Sequence, residues 1–158
     1  MKFILWLVLI LFVASLVFFG VLIGSRIDYY QYERDIVSFS SKGLQNGVTA
    51  HFDGMTVQLN QPNFDVMCNK LFTISERKSL RKLPNFEDSD TIIIEVDEHN
   101  IIKIIPASKD KKDVYLYVKI ADKNRYFYIS EHYLIYERAL SYVSPEGFYG
   151  PNTLLTEP

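Results

Sequence analysis

Residues 48–59 read VTAHFDGMTVQL, and this stretch decides the fold. Apolar and polar side chains alternate on both sides of Asp53-Gly54, the dipeptide that supplies the positive φ angles of a type I′ turn. A two-residue loop sets Phe52 opposite Met55, Ala50 opposite Val57 and Val48 opposite Leu59, so these side chains share one face. Thr49, His51, Thr56 and Gln58 share the other. A sheet that is apolar on one face must bury that face, and helices are the covering the rest of the chain offers.

Upstream, positions 3–24 contain no charged residue, and Ser15 is their only polar side chain. As a helix rising about 1.5 Å per residue they extend about 33 Å, matching a hydrocarbon core of about 30 Å. Inside lipid every backbone group must pair within its own segment, so a single crossing has to be helical. Trp6 suits one interface, and Arg26, Tyr29, Tyr30 and Tyr32 suit the other. Residues 1–25 are therefore predicted to be a transmembrane anchor that meets a lipid bilayer through residues 3–24. A cleaved signal peptide is the rival, but its apolar run is shorter and ends in a small-x-small site. Here the residues two positions before Gly24 and Ser25 are the bulky Leu22 and Ile23.

Orientation pulls two ways. Lys2 precedes the run, while Arg26, Arg34 and Lys42 lie beyond it, a count that favours a cytoplasmic domain. A single positive residue before a long apolar run has the form of an uncleaved signal-anchor, which places the domain outside. The extracytoplasmic side is the expectation adopted. Gly20 and Gly24 form a Gly-x-x-x-Gly pair that permits close helix packing, so a homodimer is one expectation.

From residue 26 to 43 the helix is predicted to continue. Tyr29, Tyr32, Ile36 and Phe39 fall on one stripe, Asp28, Gln31, Arg34, Asp35 and Ser38 on the opposite face, and Gly43 is the expected stop. Downstream of the hairpin, Pro62 is expected to open a helix with Phe64, Met67, Cys68, Leu71 and Phe72 as its apolar stripe. Ile92, Ile94 and Val96 mark a strand that turns at 97–100 and returns through Ile101–Ile105. Ile93, Ile101 and Ile105 add apolar side chains to the second face. Val114, Leu116, Val118 and Ile120 then alternate with Tyr115, Tyr117 and Lys119. Asp122-Lys123-Asn124 is the expected turn, and Tyr126–Ile129 the return. Ser130 with Glu131 is expected to cap a last helix whose stripe is Tyr133, Tyr136, Leu140 and Val143, broadened by Ile135, Ala139 and Tyr142. Pro145 blocks its continuation, and Phe148, Tyr149, Leu154 and Leu155 are the side chains able to pin the C-terminal residues to the domain.

The predicted class is α+β: a transmembrane helix leading into a small antiparallel-sheet domain in the order β-β-α-β-β-β-β-α, helices on one face. The divisions are 1–25 anchor, 26–43 juxtamembrane helix, 44–144 domain and 145–158 irregular C-terminal tail.

Composition narrows the function. With 158 residues, 23% charged and a net charge of −2, the chain is globular and lacks the basic excess of a nucleic-acid binder, so no nucleic acid is expected. One cysteine, Cys68, excludes an internal disulfide and reads as a buried hydrophobe. No phosphate-cradling glycine loop and no nucleophile elbow occur. His51, His99 and His132 lack ligands at metal spacing, so no metal, no cofactor and no catalytic residue is assigned.

Two clusters remain. Tyr115, Tyr117, Tyr126 and Tyr128 gather on the face away from the core, and tyrosine offers contact area at low rotamer cost plus a hydroxyl for specificity. A protein or glycan partner is expected there. Arg77, Lys78, Arg81 and Lys82 form a patch suited to an anionic group, with neutralisation by Glu87, Asp88 and Asp90 as the plainer reading. The function expected is a membrane-anchored, non-enzymatic interaction or sensor domain. A cytoplasm-facing accessory subunit of a membrane complex, or a small enzyme with an unrecognised site, is the alternative.

Overall fold

The computed structural model describes residues 2–84, 90–130 and 134–155. The chain divides into two compact units, 1–35 and 36–158. One helix, α1 (Lys2–Asn46), runs through the whole of the first and into the second. It is long and apolar enough to cross a membrane, and no residue of its most apolar window is buried. Ser15, the polar residue of that run, donates its hydroxyl to the Phe12 carbonyl at 2.9 Å, so no unpaired donor is presented sideways.

The predicted stop at Gly43 is not where the helix ends. α1 continues to Asn46, and Gly47, at φ +81°, terminates it by donating its N–H to the Gly43 carbonyl at 2.9 Å. Gly43 serves another purpose: a methyl at its α-carbon would run into the Phe64 ring. It is a crossing point between two helices, marked also by Phe39 and Phe64 with ring centroids 5.9 Å apart. Ile36 and Phe39 of the expected stripe are buried, as is Tyr32, while Tyr29 is exposed.

The second unit is an α+β fold. Eight antiparallel strands form one sheet: β1 (Thr49–Phe52), β2 (Met55–Gln58), β3 (Lys78–Leu80), β4 (Ile92–Asp97), β5 (Asn100–Pro106), β6 (Val114–Ile120), β7 (Lys123–Ile129) and β8 (Thr153–Leu154). Their order is β3-β7-β6-β5-β4-β1-β2-β8. The first hairpin has the expected register, Phe52 opposite Met55 and Ala50 opposite Val57, with Asp53 and Gly54 both at positive φ. Leu59 donates to the Val48 carbonyl at 2.9 Å just beyond the strands.

Ile92, Ile94, Ile102, Ile104, Leu116, Val118, Phe127 and Ile129 are buried on the core face. Helices α2 (Gln61–Phe72) and α3 (Ile135–Val143) cover it, with Met67, Leu71, Ile135 and Ala139 converging on Ile104. Burying this many β-branched and aromatic side chains, at about 1.5–3 kcal/mol each, is the main driving force of the unit. Val96, expected on the same face, is only half-buried because a bulge between Glu95 and Asp97 shifts the register.

Other expectations are corrected. The tight turn of the last hairpin is Ala121-Asp122, both at positive φ, so Lys123 and Asn124 belong to β7. In α3 the buried side is Ile135, Tyr136, Ala139, Tyr142 and Val143, whereas Leu140 is exposed. Leu134, at φ +45°, and not Ser130, precedes α3, and no side chain caps it; Glu131 and Tyr133, invoked for the cap and stripe, lie outside the described residues. α2 starts one residue before Pro62, and Asn60 caps it by accepting from the Asn63 N–H at 2.9 Å.

Two strands occur where none is predicted. β3 lies inside the basic segment, and β8 lies inside the stretch read as an irregular tail. The tail is pinned by polar groups. Asn152 accepts from the Asn60 N–H at 3.0 Å and from Asn63 Nδ2 at 3.1 Å, and its own amide donates to the Tyr142 and Ser144 carbonyls, both at 2.7 Å. Phe148 and Tyr149 also lean on the Tyr142 ring of α3, each with centroids 6.2 Å away, although they, like Leu154 and Leu155, remain exposed.

Candidate functional site: a tyrosine face bordered by cations

β6 and β7 pair in a register that sets Tyr115 opposite Tyr128 and Tyr117 opposite Tyr126. Directly opposed side chains on an antiparallel pair share a face. All four rings therefore stand together on the side away from α2 and α3, and all four are half-buried. The Tyr115 and Tyr128 centroids are 5.9 Å apart with planes tilted by 55°, and those of Tyr117 and Tyr126 are 5.4 Å apart and stacked at 25°. Rings that stand off a sheet and stack on each other cover each other's faces and turn edges and hydroxyls outward. The Tyr117 hydroxyl donates to Asn124 Oδ1 at 2.9 Å. Burial, with Tyr126 as a lesser cause, pushes the Tyr117 hydroxyl above its ordinary pKa, so it stays a protonated donor.

The neighbouring strands supply charge. β3 aligns Lys78 with Tyr128 and Leu80 with Tyr126, and β5 aligns Lys103 with Tyr117 and Ile105 with Tyr115. Two clusters far apart in sequence thus become one surface. Arg77 is the exception within the basic segment. Its guanidinium donates to the Ile74 carbonyl and lies 5.9 Å from the Phe127 ring centroid, on the core side. Arg81 and Lys82 are exposed just beyond β3. Among the described residues Lys78, Arg81, Lys82 and Lys103 have no ion-pair partner. Asp90 pairs with Lys111 at 3.0 Å and not with this patch, while Glu87 and Asp88 lie outside the described residues.

Gly20 and Gly24 sit on α1 with open space where a side chain would be. His51 meets Thr56 at 3.0 Å, and His99 meets Asp122 at 3.0 Å, a hydrogen bond that raises its pKa. His132 lies outside the described residues. Among those residues no group of three His, Cys, Asp or Glu is placed to hold a metal. Cys68 is buried, and burial pushes its thiol up to about 12. At that pKa roughly one molecule in ten thousand carries the thiolate at pH 8. Iodoacetamide should leave Cys68 unmodified in the folded chain and alkylate it in 6 M guanidinium. Rapid native alkylation would contradict the burial.

A cleft of about 510 Å³ lies beside α3, lined in part by Asp53, Asp90, Lys111, Tyr136 and Glu146. Lys111 Nζ lies 5.2 Å from the Tyr136 ring centroid and 3.0 Å from Asp90, and that pairing raises its pKa. A lysine held charged in this way is no general base. Comparison with family models, with curated proteins and with solved structures finds no match.

Proposed function

We propose that this chain is a single-pass, membrane-anchored interaction module whose folded unit stands on the extracytoplasmic side and binds a partner through its tyrosine face. The observation that carries the reading is α1, whose described side chains from Ile4 to Tyr30 are all exposed although most are large and apolar. Such a surface needs lipid around it, since contiguous exposed apolar patches on water-soluble proteins rarely exceed a few hundred Å². The tyrosine face of the folded unit has the composition of recognition surfaces.

The test is made on intact cells expressing the full chain. Resistance to extraction by alkaline carbonate, together with loss of the folded unit to external protease without lysis, is the expected result. Recovery in the aqueous fraction, or full protection from protease, would discard the anchored or the extracytoplasmic part respectively.

A further inference from the structure

We infer that the tyrosine face takes an acidic, extended polypeptide segment of a partner protein; this rests on the interaction-module reading above. The charge argument comes first. The strand neighbours of the four tyrosines are Lys78, Leu80, Lys103 and Ile105, with no carboxylate among them. Lys78 and Lys103 carry no ion pair among the described residues, and neither do the adjoining Arg81 and Lys82. In a chain of net charge −2, these four cations, without an ion pair among the described residues, call for negative charge from a partner.

Geometry then sets the length of the ligand. Lys78 and Lys103 are separated by three inter-strand steps of about 4.8 Å and one two-residue step along the strand, roughly 16 Å in all. An extended peptide covers it in about five residues at about 3.3 Å each.

Ring orientation decides the chemical class. Bases and sugar rings bind aromatics through an open ring face. Here Tyr117 and Tyr126 stack on each other, with Leu80 and Lys103 on their outer flanks. What this pair turns outward is ring edges and the Tyr126 hydroxyl, a donor for carboxylates, the Tyr117 hydroxyl being engaged with Asn124 Oδ1. Half-buried Ile93 and Ile101 extend the face beyond Lys103 and give apolar side chains of a peptide somewhere to rest, while Glu95, opposite Ile101, is met by His51 at 3.9 Å.

The experiment uses the full chain in nanodiscs of neutral phosphatidylcholine and measures binding of poly-L-glutamate, polygalacturonate and oligo-dT at one salt concentration. Poly-L-glutamate should bind most tightly. Lys78→Gln/Lys103→Gln should weaken it at least tenfold, and Tyr117→Phe/Tyr126→Phe, which removes only hydroxyls, about threefold. The charge-matched control Lys109→Gln/Lys112→Gln, in the exposed loop between β5 and β6, should stay within twofold. Equal or tighter binding of polygalacturonate or oligo-dT, or an equal loss in the control, overturns the inference. So does a membrane-retained chain that ignores poly-L-glutamate, and that result leaves the anchored-module reading standing. A chain that binds poly-L-glutamate but is recovered without detergent overturns the anchor and not the ligand class.

Discussion

Asn152→Ala should lower the stability of the folded unit by roughly 3–5 kcal/mol, although the residue sits only a few positions from the last one described. Its side chain occupies four backbone and side-chain groups at once: the Asn60 N–H, Asn63 Nδ2, and the Tyr142 and Ser144 carbonyls. Asn63 is fully buried and Asn152 nearly so. Truncation leaves these groups facing one another across a small void, and each buried group without a partner costs about 1–3 kcal/mol, less what an entering water recovers. Asn63 and Asn60 still hold the Gly150 carbonyl, which keeps the loss finite. Thermal unfolding of the full chain in detergent should show a midpoint lower by about 10–15 °C. Asn69→Ala, at an exposed position late in α2, is the control and should move it by about 2 °C or less. Equal shifts in the two variants would mean that the last strand is not held by this network.

The second large effect is a coupling. Gly43→Ala in an ordinary helix interior stabilises by about 1 kcal/mol, because glycine is a poor helix former. Here the sign should reverse, with a loss of about 1–3 kcal/mol, since the new methyl meets the Phe64 ring. Phe64 is itself buried between α1 and α2, and Phe64→Ala should cost about 3–5 kcal/mol through the cavity it leaves. The double variant removes the ring contacts and leaves the methyl only Val48 Cγ2 to displace. Its loss should fall short of the sum of the single losses by about 1 kcal/mol or more. Strict additivity in chemical denaturation of the three variants would show that the helices do not cross at this point.

These features differ in how far the sequence reveals them. The hairpin at 49–58 is legible because alternation and Asp-Gly agree on one register. The tyrosine pairs are legible for the same reason, even though the turn lies at Ala121-Asp122 and not at 122–124. Strand alternation survives a small error in turn position. β3 and β8 are not legible. Three and two residues carry no period, and their partners lie far away in the chain. The contribution of Lys78 and Lys103 to the tyrosine face is hidden with them, since it depends on strand order and not on local pattern. Gly43 shows a different limit. A glycine near a helix end reads the same whether it stops the helix or admits a neighbour, and only the position of Phe64 separates the two. Asn60, Asn63 and Asn152 each look like ordinary cap or turn residues, and nothing in a linear reading joins them.

The strand order has a consequence for the chain at high local density. β3 and β8, the shortest strands described, are the two at the margins of the sheet. A neighbouring molecule seeking to zip its own backbone onto either margin finds two or three residues of template, one margin guarded by a lysine. Copies crowded side by side can therefore stay apart without polymerising edge to edge, while the broad middle of the sheet stays at full strength.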